Sequence, residues 1–442
     1  MSTGEFDVTA VFRDEWPRLV AHLVRDVGDV GLAEDAAQEA FVEAARRWSP
    51  GNTPDVPAAW LLTTARRKAI DQLRRSKRLS ERLADLAAEA HLTGQGDIGD
   101  GRGSSPGIDG NGGRDDLVDD QLALLLGCCH PALSFEAQVA LTLRIVAGLS
   151  SAQIARAFFV TESTMTRRLT RSKTKIRAAN IAFHRSNLET LHERLPVVCA
   201  IVYSIFTEGH ASAAAPTLLR GDLCDEAIWL GSLLRQLVPH DAEVAGLLAL
   251  MTLTDARRAT RVDHDGQPIR LRDQDRSAWD RAQIDHGLQT LGAAYAMRDA
   301  GQYQFQAAIA AIHATARTFA ETDWSAIIGL YDVQLRRQPS PILALNRAIA
   351  LAERDGAAAG LEALDDIRER IPFSGELDNY PYFHTSSAEM LATLGRYSES
   401  VAPFERALAV CTNDAERAHL ALRIDQVRCS DVDVARRRPD HA

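Results

Sequence analysis

The amino-acid sequence predicts an all-α fold, and three observations lead to that expectation. Apolar residues recur at the three-to-four-residue spacing of helices along most of the chain, and no alternation of period two outlasts a few residues. Aromatics make up only 6% of a chain that is 46% hydrophobic, and Ala, Leu and Arg abound, a balance suited to packed helices rather than β-sandwiches. One glycine-rich stretch separates helical patterns on either side. With 442 residues the chain has room for about three domains and more than one core.

Several classes are disfavoured at once. No run of ~20 apolar residues is present, so no transmembrane helix and no membrane partner are expected. The opening MSTGEFDVTAVFRDEW lacks the basic start and apolar stretch of a secretory signal. Six cysteines at 128, 129, 199, 224, 411 and 429 form neither a zinc-type nor a disulfide framework, which reads as a reducing, cytoplasmic setting. The formal charge of −10 hides an uneven distribution. Residues 1–180 hold 23 Lys+Arg against 24 Asp+Glu, a balance of −1, so the remainder carries −9. Within the first part the positive charge is concentrated in two short blocks, and clustering rather than net charge is the footprint of nucleic-acid binding.

The first helical region spans 5–92. Residues 32–48, LAEDAAQEAFVEAARRW, place apolar side chains at 32, 36, 37, 40, 41, 44, 45 and 48, a broad helical stripe. The opposite face carries Glu34, Asp35, Gln38, Glu39 and Glu43, with Val42 in its midst. An acidic face around an apolar spot resembles a docking surface for a basic partner helix; taken alone, a solvated surface helix with one stray valine is the commoner explanation, since single exposed apolar residues are normal. Then comes PAAWLLTTARRKAIDQLRRSKRLSER (57–82), with eight basic and two acidic residues. Leu61, Leu62, Ala65, Ala69 and Leu73 form its expected buried stripe. Arg67, Lys68, Arg74, Arg75 and Arg78 project from the other side, and Asp71, four residues from both Arg67 and Arg75, is placed to hold both guanidinium groups for phosphate.

A flexible linker is expected over 93–116, because nine of the 21 residues 94–114 are Gly and only Ile98 and Ile108 are large and apolar. The next unit, 117–180, contains SFEAQVALTLRIVAGLSSAQIARAFFVTESTMTRRLTRSKTKIR. Ser150 or Ser151 caps a short helix with Ile154, Ala155 and Phe158 inside; Val160 falls in a tight turn; a second helix turns Met165, Leu169 and Ile176 inward. Six basic and no acidic residues lie between 163 and 177. This is a helix-turn-helix pattern. Its second helix is expected to enter the major groove, with Ser163, Thr164, Arg167 and Arg168 at base edges and Arg171, Lys173 and Lys175 mainly on phosphates. Cys128, Cys129 and His130 are adjacent and lack a second Cys/His pair nearby, so packing at a helix end is expected there and no metal.

An acidic amphipathic helix, a loop with Pro50, Gly51, Pro54 and Pro57, a Trp and an Arg-rich helix through AIDQLRR together resemble the sigma-two domain of extracytoplasmic-function sigma factors. The resemblance implies that the acidic face (Asp35, Gln38, Glu39, Val42, Glu43) docks on core RNA polymerase. It also implies that the loop and basic helix, with Trp60, Arg66, Arg67, Lys68, Arg74, Arg75 and Arg78, capture and help open the promoter −10 element. Trp48 and Trp60 bracket the loop as candidates to hold an unstacked base. Arg67 stands where that family often has Asn. DQLALLLGCCHPALSFEAQVALTLRIVAGLSSAQIARAFFV similarly resembles the sigma-four domain that reads the −35 element. Two DNA-binding modules on a flexible tether raise each other's effective concentration on promoter DNA.

Ordinary members of that family stop near residue 180. Residues 184–290, including FTEGHASAAA, LLALMTLTDARRATRV and RDQDRSAWDRAQI, resemble the extension of one subgroup, with a polar, turn-rich interruption at 261–276. Over 291–430 the pattern becomes loosely repetitive. LATLGRYSESVAPFERALAVCT (391–412) resembles the second half of a tetratricopeptide repeat, with Gly395, Tyr397, Phe404 and Ala407 at packing positions; 327–351, with Tyr331, Pro339, Asn346 and Ala348, is a weaker copy. A helical solenoid offers a surface for a protein or peptide partner and for regulation. Phosphate loops, nucleophile elbows and carboxylate–His spacings are absent from the sequence, and His210, Asp222, His313, Asp323 and Trp324 form no recognisable catalytic set, so neither enzymatic activity nor a cofactor is expected. The reading is a non-enzymatic specificity subunit of RNA polymerase acting with promoter DNA. Its rivals are a polymerase-independent helix-turn-helix regulator with a sensing domain and a helical scaffold with merely solvated basic faces.

Overall fold

A computed structural model describes residues 8–48, 53–91, 114–158, 160–179, 181, 183, 188–210, 219–264, 266–370 and 377–437. Among them the fold is helical, and the only strand-like feature is an isolated antiparallel bridge between Val262 and Pro268. The expected linker lies outside the described residues up to 113, and its last residues start a helix at Arg114. The chain divides into two compact units, Met1–Ile201 and Val202–Ala442.

The first unit contains α1 (Val8–Val27), α2 (Val30–Arg47), α3 (Pro57–His91), α4 (Arg114–Cys128), α5 (Phe135–Leu141), α6 (Ser151–Ala157), α7 (Glu162–Ala178) and the beginning of α8 (Leu188–His210). Gly28, at φ +73°, turns the chain after α1, and Asp29 caps α2 by accepting from the backbone N–H groups of Gly31 and Leu32. Trp16, Leu23 and Leu61 share one core with Leu124, Leu125, Leu141, Leu143 and Ile145, all but inaccessible to solvent. Burial of each such side chain stabilises the unit by roughly 1.5–3 kcal/mol. Trp16 Nε1 donates to the carbonyl of Ile145 at 3.0 Å; Phe12 stacks on Trp16 and meets Phe41 edge to face, with all three ring centroids within 6.0 Å of one another.

After α5 the helix widens into one π turn, Thr142–Val146. Gly148 ends it at φ +74°, where a Cβ would lie 2.9 Å from the Phe12 ring, so this position favours glycine for both conformation and space. Of the two serines proposed to cap α6, Ser150 does so, in a capping box with Gln153. Thr161 caps α7. Met165, Leu169 and Ile176 are buried as their spacing predicts. Cys128 and Cys129 are buried at the end of α4, with Cys129 Sγ 3.6 Å from Thr142 Oγ1.

The second unit is built around α10 (Ala242–Asp255), which is apolar nearly all round and packs against α9 (Gly221–Leu237), α11 (Arg281–Ala296) and α12 (Gln302–Thr315). The polar interruption is a run of short 3-10 turns at Arg258–Thr260, Leu271–Asp273 and Arg276–Ala278. It is pinned by Trp279 Nε1 donating to Thr260 Oγ1 at 3.0 Å and by Arg276 donating to the carbonyls of His313 and Ala316. Then follow α13 (Trp324–Arg337), α14 (Pro341–Asp355), α15 (Ala357–Arg370), α16 (Pro381–Thr393), α17 (Tyr397–Val410) and α18 (Asp414–Arg437), each packed on the next. Gly356 and Gly395, at φ +98° and +73°, make two of the turns. Phe404 and Ala407 are fully buried with Ala388, Leu420 and Ile424, and Tyr397 packs against them, the packing roles that their repeat-like spacing predicts.

Candidate nucleic-acid and polymerase interface

The exposed faces of α2, α3 and α7 carry most of the residues singled out by the sequence. On α2, Asp35, Gln38, Glu39, Val42 and Glu43 line one shallow depression of about 500 Å³, completed by Arg46, Lys68 and Gln72. Val42 is 50% exposed in an otherwise polar surround. Burial raises the pKa of Asp35, an effect opposed by Lys173 and reinforced by Glu34. Glu39 accepts from Lys68 Nζ at 3.2 Å and Gln72 Nε2 at 3.0 Å, and Glu43 pairs with Arg47 at 2.6 Å.

Glu34 departs from the expectation. Its helical position suggested the solvent-facing side, yet it is 1% exposed, with Arg144 Nε at 2.6 Å, Lys173 Nζ at 2.5 Å and Gln38 donating at 2.9 Å. The π turn and α7 close over that flank of α2, and the two cations offset the cost of burying its charge.

Along α3, Arg67, Arg74, Arg75 and Arg78 are exposed. Arg66 and Lys68 are instead half-buried and engaged within the unit, Arg66 with Asp26 at 2.7 Å and Lys68 with Glu39. Asp71 forms no ion pair with Arg67 or Arg75 among the described residues, and Leu73 is 42% exposed rather than buried. At that point α3 runs past the elements that cover its earlier stripe of Leu61, Ala65 and Ala69. Trp60, half-buried, meets the buried Trp48 edge to face at 5.3 Å, so the two tryptophans bracketing the loop are in contact; residues 49–52 of the loop lie outside the described residues.

On α7, Ser163, Arg167, Arg168, Arg171 and Lys175 are exposed, and Thr164 is half-buried with its hydroxyl 2.9 Å from that of Thr161. Arg167 Nε donates to the carbonyl of Ser163 at 3.2 Å. Lys173 does not share this face, since its ammonium turns to Glu34. Arg177, not singled out by the sequence, pairs with Asp29 at 2.5 Å. Burial of Asp29 would raise its pKa, but the Leu32 N–H and the Arg177 guanidinium outweigh it and hold the carboxyl below the ordinary 3.8.

In the second unit, His210, Cys224 and Asp255 bring their ligand-type atoms within 4.8 Å of one another, the nearest approach to a metal-ligand set among the described residues. Asp255 is already held by Arg258 at 2.8 and 2.7 Å and by Gln283 at 2.9 Å. Burial and the surrounding Arg261, Arg257 and Arg258 push the His210 pKa down to about 2, and the same cationic surroundings oppose a bound cation.

A helical domain with an acidic depression beside a basic helix, followed by a helix-turn-helix with an exposed basic face, has the layout of a DNA-binding transcription factor. Comparison with known proteins agrees. Residues 11–79 match Sigma-70 region 2, residues 123–176 match Sigma-70, region 4, and residues 194–295 match a family of unknown function, DUF6596. An uncharacterized protein of Rhizobium meliloti (strain 1021) is 38% identical over 439 residues, covering 98% of both chains. The probable ECF RNA polymerase sigma factor SigI of Mycobacterium tuberculosis is 29% identical over 214 residues, 48% of this chain and 66% of that protein. The ECF RNA polymerase sigma factor SigK of Mycobacterium ulcerans is 38% identical over 90 residues, 20% of this chain and 48% of that one. The chain thus carries Sigma-70 regions 2 and 4, is similar over its first half to extracytoplasmic-function sigma factors, and continues into a helical C-terminal extension. No described helix is long and apolar enough to cross a membrane.

Proposed function

We propose that this sigma factor docks on core RNA polymerase through Asp35, Gln38, Glu39, Val42 and Glu43. In this reading Trp60 and the exposed Arg67, Arg74, Arg75 and Arg78 engage the −10 element. Ser163, Thr164, Arg167 and Arg168 read the −35 element while Arg171 and Lys175 hold its phosphates. Arg66 and Lys68 position α3 through Asp26 and Glu39, and Lys173 positions α7 through Glu34. The polymerase performs the chemistry, in the cytoplasm, and the helical extension regulates the sigma activity or binds a protein or peptide partner.

The observation that carries this reading is the gathering of Asp35, Gln38, Glu39 and Glu43 around exposed Val42 in one depression, in the same chain as two exposed basic helix faces. A free-standing helix-turn-helix regulator has no use for that depression. In vitro transcription with core polymerase on a promoter library from the host is the test. New transcripts sharing spaced −35 and −10 boxes are expected. Duplex binding by the protein alone, without new transcripts, overturns the reading in favour of the free-standing regulator. Transcripts from residues 1–183 but not from the full chain would make the extension an inhibitor.

A further inference from the structure

We infer that the second unit holds a binding site for a small amphipathic carboxylate, in the cleft lined by α10, α12, α13 and α14, with the Arg257 guanidinium as its anchor. The cleft encloses about 420 Å³, within the range of roughly 300–1,000 Å³ usual for small-molecule sites. Its walls are largely apolar, with Leu253 and Ile309 beside the rings of Trp279 and Tyr331. Arg257, His313, Thr254, Gln306 and Asn346 add polar groups, and no Asp or Glu lines it.

Arg257 stands out because the charges around it are all committed elsewhere. Arg258 is held by Asp255 and Asp225, Arg276 by the carbonyls of His313 and Ala316, and Arg261 by the carbonyl of His210. Arg257 itself has no ion pair and no side-chain hydrogen bond among the described residues. Burial, together with the like charges of Arg261 and Arg276, holds its pKa below the ordinary arginine value. Beside it, burial and the same cationic neighbourhood lower His313 to about 4, so the imidazole is neutral, and its Nδ1 is enclosed without a hydrogen-bond partner. An unpaired cation in a mostly apolar cleft is costly, and an anion removes that cost. One planar guanidinium matches a carboxylate in bidentate fashion, whereas a phosphate dianion calls for a second cation, and Arg257 is the one Lys or Arg of the lining. The apolar and aromatic walls then take the organic body.

This inference goes beyond the sigma assignment and is tested without polymerase. Calorimetric titration of the full chain would use octanoate and 4-phenylbutyrate as probes, with 1-octanol and 4-phenyl-1-butanol as uncharged counterparts. Saturable one-site binding of at least one carboxylate is expected, weakened roughly ten- to a hundredfold in the matching alcohol and in Arg257→Met. Arg257→Met should keep or raise the melting temperature, because it removes an uncompensated charge. If that variant fails to fold, Tyr331→Trp, which narrows the cleft, is the second test and should abolish binding. Absence of saturable carboxylate binding at millimolar concentration, equal affinity for the alcohols, or undiminished binding in a folded variant overturns the inference.

Discussion

Glu34 gives the sharpest test of how the first unit is held together. Replacing it with Gln preserves the shape and the contact with Gln38 but removes the charge that Arg144 and Lys173 share at 2.6 and 2.5 Å. The carboxylate is buried, while the side chains of Arg144 and Lys173 are 16% and 22% exposed, so water rescues the cations only in part. Removing one partner of a buried pair costs about 3–5 kcal/mol, and partial exposure brings the expected loss to about 3 kcal/mol. In a unit of this size that lowers the melting temperature by roughly 6–12 °C. Differential scanning calorimetry of the full chain, following the transition that Glu34→Gln displaces, measures it. Lys173→Met alone should cost less, and the double variant should reveal a coupling energy of about 1 kcal/mol or more. A shift of under ~2 °C, or additive single and double variants, refutes the view that this cluster fastens α7 to α2.

Two further outcomes are expected. Arg167→Ala combined with Arg168→Ala should abolish promoter selection while leaving polymerase binding intact, as read by transcription and by co-elution with core enzyme; lost core binding would contradict the division of labour between α2 and α7. Asp29, with its folded pKa below 3.8, stabilises fully above the unfolded carboxylate range and loses that contribution as pH falls through the lower folded value. Asp29→Asn keeps a capping side chain but loses Arg177, so chemical denaturation should show a deficit of under about 1 kcal/mol at pH 7 that vanishes in acid. An undiminished deficit at low pH would separate Asp29 from that linkage.

Much of this protein is written in local pattern. Helical spacing fixes the inward Met165, Leu169 and Ile176 and the outward Arg167, Arg168 and Arg171, because side-chain direction follows from helical period once the helix exists. A serine cap for α6, at Ser150 or Ser151, and the acidic face around Val42 are legible for the same reason, since they involve residues one turn or so apart. The same logic misjudges Leu73, whose cover α3 alone does not supply, and Asp71, whose arginines one turn away on the same helix stay exposed instead of pairing with it.

Only the tertiary structure decides where charges end. Glu34 and Asp35 are neighbours in sequence, yet one is buried between Arg144 and Lys173 and the other faces solvent. Lys173 belongs to a basic helix but is drawn off its exposed face, and Arg66 and Lys68 become tethers of α3. Arg257 and Arg258 are likewise neighbours, yet Arg258 is held by Asp225 and Asp255 while Arg257 forms no ion pair among the described residues. An ion pair acts over a few ångströms of space and is indifferent to chain separation, so its partners become known only when distant segments are folded together.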